Sequence, residues 1–320
     1  MVGELQAIWF KKIAKFNLNS WKLKYTRKIE SEDAIFCFHG FTRSFLGSNL
    51  LFQTPRHELK VTLKVLSKYY QFVSLDELLG SLDDHPGRRP RAAFTIDDGF
   101  SSILDVIGIF KKYNITPTVF ICPELIDKKT VPFPEIIRIA VLLTKNTRVP
   151  QEEIVLGNLK DKLEYINHLV ETFKKFNGEN LAEELDVLIS TLNVSKEAIV
   201  SHQLYDSLLD WSELASLNGD VQIGSHTCNH YHLSSLDEGL ARDEIFLSKK
   251  MIQDQMKVDC RYFCYPFGGE NSFSEREINL VEKAGYDYSF SILPGRLNQL
   301  SHRYKLPRYN GLNSFMINKG

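Results

Sequence analysis

Residues 91–100 read Arg91-Ala92-Ala93-Phe94-Thr95-Ile96-Asp97-Asp98-Gly99-Phe100. The first six form a short, mostly apolar run of strand length, so they predict a buried strand. The run ends abruptly in two carboxylates and a glycine, which marks a turn at the strand's C-terminal end. Immediately downstream, Ile103, Val106, Ile107 and Phe110 recur at helical spacing across 101–113. The next apolar run, TPTVFICP at 116–123, is again a strand. Strand, helix and strand in that rhythm predict parallel βαβ units and an α/β fold.

The rhythm extends in both directions. Upstream, DAIFCFHG at 33–40 reads as a buried strand ending at a turn, and 56–81 as helix, short strand and helix. Pro86, Gly87 and Pro90 mark a loop. Between about 127 and 210 the composition shifts to Leu, Glu, Lys and Asn, with helical periodicity at 161–176 and 179–192, so this stretch reads as a helical insertion. From Trp211 the rhythm returns: a helix, the strand DVQIGSH, a long helix over 236–256, the strand and turn RYFCYPFG, a helix at 274–285, the strand YDYSFSI and a final LPRYN. No internal repeat or low-complexity tract interrupts it.

Composition narrows the function classes. The 320 residues are 43% hydrophobic and 25% charged, with a formal net charge of −1, so no overall field favours nucleic acid. The chain divides into a segment 1–30 and a domain 31–320 that carries the insertion. In the first segment Lys11, Lys12, Lys15, Lys22, Lys24, Arg27 and Lys28 alternate with Ile8, Trp9, Ile13, Phe16 and Trp21. That pattern fits either a basic amphipathic helix on an anionic membrane or a helix packed on the domain with a solvated basic face. Lysines interrupt the start of the chain where a secretory signal would be continuously apolar. The five cysteines, an odd count without a C-x-x-C pair, suit a reducing compartment. The expectation is a cytoplasmic protein, with peripheral contact at the inner membrane face through residues 1–30 as an option. Nothing in the sequence sets the oligomeric state.

Three segments end strands in polar residues. Adjacent Asp97 and Asp98 raise each other's pKa unless a cation separates their roles; an Asp-Gly turn without chemistry is the competing reading. In Ser225-His226-Thr227-Cys228-Asn229-His230, two imidazoles four apart can face one metal ion from a helical turn or tight loop. His232 falls off that spacing. In Phe263-Cys264-Tyr265-Pro266-Phe267-Gly268, a strand runs into a turn whose backbone N–H groups could point inward.

In this order the segments Thr-x-Asp-Asp-Gly, Ser-His-Thr-x-x-His and Phe-x-Tyr-Pro-Phe-Gly resemble the polysaccharide deacetylases, carbohydrate esterase family four. The contexts Ile115-Thr116-Pro117-Thr118-Val119-Phe120 and Leu209-Asp210-Trp211 are similar too, so the resemblance spans Ile35 to about Arg308 apart from the insertion. It implies a distorted (β/α) barrel with the site at the strands' C-terminal ends. It implies that Asp98, His226 and His230 hold a divalent metal, zinc first, with cobalt, nickel or manganese as alternatives. It makes Asp97 the general base, and the turn Tyr265-Pro266-Phe267-Gly268 the substrate-binding element, with the Phe267 N–H facing the oxyanion.

The chain departs from the family pattern in two places. Many members end in Ile-x-Leu-x-His, whose His protonates the leaving amine; here the last segment reads Leu306-Pro307-Arg308-Tyr309. The first strand instead ends in His39, and first and last strands are neighbours in a closed barrel, so His39 is the candidate acid and His302 the weaker one. The family's base-orienting Arg is replaced by Cys264, and a thiol cannot make a bidentate pair with a carboxylate. Arg261 should face the other side of its strand, which leaves Arg308 as the compensating residue. The implied activity is removal of an N-acetyl group from an amino sugar, on a nucleotide- or lipid-linked intermediate of surface polysaccharide synthesis. Deformylation, cleavage of another non-peptide C–N bond, and an inactive sugar- or metal-binding module are the rival readings.

Overall fold

The computed structural model describes residues 32–43, 53–81, 89–149, 154–293, 295, 297 and 301–310. The basic segment 1–30 lies outside the described residues. The strands are β1 (Ala34–Phe38), β2 (Gly40–Thr42), β3 (Gln53–Pro55), β4 (Gln71–Phe72), β5 (Arg91–Ile96), β6 (Thr118–Ile121), β7 (Arg148–Val149), β8 (Ile154–Val155), β9 (Gln222–Ser225), β10 (Tyr262–Cys264), β11 (Tyr288–Phe290) and β12 (Tyr309–Asn310). The helices are α1 (Arg56–Leu66), α2 (Leu75–Leu79), α3 (Ile107–Lys112), α4 (Pro123–Asp127), α5 (Phe133–Leu143), α6 (Leu159–Phe173), α7 (Gly178–Thr191), α8 (Lys196–Val200), α9 (Trp211–Ser216), α10 (Glu238–Met256) and α11 (Glu275–Lys283). Among the described residues no helix is long and apolar enough to cross a membrane.

The main sheet is parallel, in the order β11-β10-β9-β6-β5-β1-β12, with β4 branching onto β5. The last strand lies beside the first, with Phe36 opposite Tyr309. Just before it, Leu306 bridges to Phe290 of β11, and its N–H donates to the Ser289 carbonyl at 2.9 Å. The path therefore bends back on itself as the distorted (β/α) barrel that the sequence rhythm and the family resemblance imply.

Two apolar layers hold it. Outward-facing Phe36, Phe38 and Phe94 pack with Phe72, Phe110 and the helices; Phe36 and Phe94 stack at 5.8 Å and Phe72 meets Phe94 edge-on at 5.0 Å. A smaller cluster draws Ile35, Ala93, Phe120, Phe290 and Leu306 from strands around the ring, and forms the interior. Side chains alternate along a strand, so the positions above Ile35, Ala93 and Leu306 on that same face are Cys37, Thr95 and Arg308, and the next above Thr95 is Asp97. The interior column thus turns polar near the C-terminal ends of the strands.

The segment 101–113 is a 3₁₀ turn (Ser101–Asp105) followed by α3, where the spacing alone predicts one helix. The insertion carries α5 to α8, and also an antiparallel pair, β7 with β8, which helical periodicity does not announce. Two-residue strands have too few positions to show a period of two.

Candidate metal centre and catalytic cleft

Three strand ends deliver the residues. After β5 the chain turns sharply: Asp98 (φ 71°) and Gly99 (φ 76°) both adopt the left-handed conformation. A Cβ on Gly99 would meet the Ile121 side chain at 2.8 Å, so that position also needs the missing side chain. After β9 the loop passes through Thr227 (φ 67°) and His230 (φ 58°), and after β10 through Phe267 (φ 62°). Left-handed backbone at non-glycine residues costs roughly 1–3 kcal/mol each and persists where surrounding contacts enforce it. Here the enforcing contacts are visible. Asp97 N–H donates to the Phe38 carbonyl at 2.8 Å, and His226 N–H to the Ile121 carbonyl at 2.9 Å. The His230 N–H donates to Thr227 Oγ1 at 3.0 Å. Asn229 donates from its backbone N and from Nδ2 to the two oxygens of Glu244, at 2.9 and 2.7 Å, and Glu244 is buried on α10.

The result brings Asp98, His226 and His230 together, with ligand-type atoms all within 4.8 Å of one another. His226 Nε2 and His230 Nε2 approach Asp98 Oδ1 at 3.5 and 3.2 Å. That oxygen is buried with no hydrogen bond among the described residues, as is His230 Nδ1. His226 Nδ1 lies 2.7 Å from the Cys264 carbonyl; that contact assigns the proton to Nδ1 and leaves Nε2 with its lone pair toward Asp98. Burial pushes His226 down to about 4, so the ring is neutral near pH 7, as a metal ligand must be. Convergent lone pairs on an orphaned oxygen and a tautomer-fixed imidazole, from a His, His and carboxylate donor set, fit a divalent ion.

Asp97 faces the other way. Arg308, fully buried, grips it bidentately: Nη1 to Oδ1 and Nη2 to Oδ2, both 2.7 Å. Nη1 also donates to Thr95 Oγ1 at 2.9 Å and Nε to the Ser291 carbonyl at 3.0 Å. Burial alone would raise Asp97; the Arg308 guanidinium overrides it and holds the carboxyl well below the usual range. The Cys37 and Cys264 thiols sit 3.3 and 3.5 Å from Asp97 Oδ2, and burial pushes both thiols up, so they remain protonated. His39 Nε2 lies 3.9 Å from the same oxygen. Arg261 faces away, pairing with Asp76 and Asp287 on the outside. Cys228 is buried and belongs to no cluster of candidate ligands among the described residues; His232 bonds with Ser235 instead. His302 Nδ1 accepts from the Tyr304 backbone at 3.3 Å. It does not line the cavity described next.

These groups open into a cavity of about 280 Å³ lined by His39, Asp97, Asp98, His226, His230, Tyr265 and Phe267. Part of its wall comes from the insertion: Pro134, Glu135 and Arg138 on α5, and Asn167, Val170, Glu171 and Lys174 at and beyond α6. The Phe267 ring packs edge-on against His230 at 5.0 Å and lies under Lys174 Nζ at 4.7 Å. Glu135, Arg138 and Glu244 escape motif reading. The signal available for them is a charged residue on an otherwise apolar helical face: Glu244 among Ala241, Ile245 and Ile252, and Glu135 with Arg138 in the apolar run of α5.

A family model of polysaccharide deacetylases matches residues 187–289, which include His226, His230 and the turn 265–268. No curated protein sequence matches the chain. Among solved structures the chain is similar to the Streptococcus pyogenes deacetylase PplD in complex with acetate, at 12% identity over 89% of this chain and 97% of that one, with a TM-score of 0.57. It is similar to IcaB from Ammonifex degensii, at 13% identity over 90% and 96% of the two chains, with a TM-score of 0.56. A de-N-acetylase from Aggregatibacter actinomycetemcomitans gives 13% identity, 90% and 99% coverage, and a TM-score of 0.52. At such identities the likeness is one of fold. Residues 187–289 therefore match the polysaccharide deacetylase family model by sequence, and the chain as a whole shares the fold of these solved deacetylases.

Proposed function

We propose that this protein is a metal-dependent hydrolase that removes the N-acetyl group from an amino sugar, on a nucleotide- or lipid-linked intermediate of surface polysaccharide synthesis. The observation that carries the reading is the convergence of His226, His230 and the orphaned Asp98 Oδ1 beside an ionised, Arg-clamped Asp97 in one cavity. Asp98, His226 and His230 would hold the ion, zinc first. When bound, a divalent ion supplies Lewis acidity toward water and the acyl oxygen.

The chain's own residues supply the rest. Asp97, ionised, accepts the proton of the attacking water as oxygen adds to the acyl carbon. The Phe267 N–H has no acceptor among the described residues and serves the developing oxyanion, a contact worth roughly 3–4 kcal/mol in comparable sites. His39, in the cavity wall and 3.9 Å from Asp97 Oδ2, hands a proton to the leaving nitrogen as the C–N bond breaks. Acetate and a free amine result. Arg308 orients Asp97 in the place the family gives to the residue that Cys264 replaces. The cytoplasmic setting rests on five cysteines, all of them free thiols. Contact with an anionic membrane would come through the basic residues of segment 1–30.

The test is amine release from N-acetylglucosamine oligomers by the wild-type chain, before and after chelation and after zinc is restored. Release that is lost on chelation and returns with zinc is expected, and His39→Ala should abolish most of it while keeping the metal. No release under any metal condition would contradict the assignment, and near-normal turnover in His39→Ala would remove that residue from the mechanism.

A further inference from the structure

The turn that carries the Phe267 N–H is anchored on both flanks and strained in the middle. Tyr265 N–H donates to the Phe290 carbonyl at 3.2 Å, and Ile292 N–H to the Gly268 carbonyl at 3.0 Å. Between them Gly268 N–H donates back to the Pro266 carbonyl at 2.7 Å, the i to i+2 bond of a γ-turn. Phe267 is the central residue, with φ 62°. Positive φ at that position is the rare, strained form of the turn, and it persists where surrounding contacts hold it. Phe267 makes no backbone hydrogen bond of its own among the described residues, so the hold must come through its ring.

Four groups surround that ring. The loop after β9 contributes His230, edge-on at 5.0 Å, and His232 at 5.6 Å. The insertion contributes Phe133 at 5.9 Å and Lys174, whose Nζ stands 4.7 Å from the ring centroid. Phe133 opens α5 and stacks at 6.3 Å on Phe173, the last residue of α6, and Lys174 follows directly. The start of one insertion helix and the end of another therefore meet on Phe267. Lys174 Nζ also pairs with Glu171 Oε1 at 2.6 Å, but the Glu171 side chain is 70% exposed against 18% for Lys174. An ion pair open to water adds little, whereas a partly desolvated ammonium over an aromatic face keeps its attraction to the ring.

Resting on the deacetylase reading, in which the Phe267 N–H faces the oxyanion, we propose that Lys174 is a positioning residue. Its ammonium, with Phe133, pins the Phe267 ring, so that the strained turn already presents its N–H when the substrate arrives. The insertion then shapes the catalytic turn as well as the wall of the cleft.

The experiment compares Lys174→Met, which keeps an unbranched apolar stem without the charge, with Lys174→Arg, which restores a cation able to lie on the ring. Hydrogen–deuterium exchange of a peptide spanning 263–268 in the full chain reads the turn itself, through the Gly268 N–H. Exchange there should be faster in Lys174→Met and as in wild type in Lys174→Arg, with exchange over 34–38 in β1 equal in all three. Amine release from N-acetylglucosamine oligomers reads the consequence. In Lys174→Met kcat should fall about three- to thirtyfold, with KM and zinc content as in wild type, and Lys174→Arg should recover it. Should Lys174→Met fail to fold, Phe133→Leu removes the other insertion contact and should loosen the same peptide. Unchanged exchange at 263–268, loosening throughout the chain, wild-type kcat with a loosened turn, or no recovery with arginine overturns the assignment. So does a rise in KM at constant kcat, which would make Lys174 a substrate contact. Exchange that responds as expected in a protein whose wild type releases no amine would sink deacetylation and leave the hold of Lys174 on the turn standing.

Discussion

At the scale of single residues, the main feature is an arginine arriving from an unexpected part of the chain. A carboxylate as buried as Asp97 needs a cation, and the strand that supplies one in the family pattern here supplies Cys264. Arg308 reaches the same carboxylate from the edge of β12 and makes both bonds at 2.7 Å. The thiol is then small enough to leave that space, and it accepts from Arg308 Nη2 at 2.9 Å. Removing one partner of a fully buried ion pair leaves the other uncompensated, at a cost of about 3–5 kcal/mol. Arg308→Ala is therefore expected to lower the unfolding free energy by about that amount, measured by chemical denaturation, and to lose most turnover. A variant as stable and as active as wild type would show that the pair is incidental. Arg308 as the partner of Asp97 was legible because the family resemblance places an arginine where Cys264 stands, and its absence there forces the search for another. Glu244 and Arg138 were not, because a lone charge on a helix reads as solvated until the packing of that face is known.

At the scale of elements, the site depends on strands that end in strained turns and on one glycine beneath them. Gly224 is the third residue of β9, directly before Ser225 and His226. A Cβ there would meet the Phe120 ring at 2.5 and 2.6 Å and the Tyr262 carbonyl at 3.1 Å, all rigid neighbours. Overpacking of this kind costs about 1–3 kcal/mol and is relieved by backbone shift. Gly224→Ala should lower the melting temperature and weaken zinc affinity together, read by thermal unfolding and metal titration on one sample. Unchanged zinc affinity would mean that β9 does not set the position of His226. The strands themselves were readable from short apolar runs. Their exact ends were not, since the turn geometry at Asp98, Thr227 and Phe267 comes from contacts between elements and leaves no local periodic trace.

For the whole molecule, the alternation of apolar runs and helical stretches points to a parallel α/β sheet because every crossover must bury a helix on the sheet. Closure is different: the pairing of β12 with β1 and the bridge from Leu306 to Phe290 join segments far apart in sequence. Only the family resemblance anticipated it. The insertion was visible as a change of composition, but its place in the cavity wall, through α5 and α6, depends on packing that composition does not encode. All these elements converge on one claim, that Asp98, His226 and His230 hold a divalent ion. The most direct measurement is elemental analysis of the purified full chain beside Asp98→Ala. About one tightly held divalent ion per wild-type chain, absent from an equally folded Asp98→Ala, is the predicted result. A wild-type chain without bound metal, or a variant that retains as much, would contradict the account.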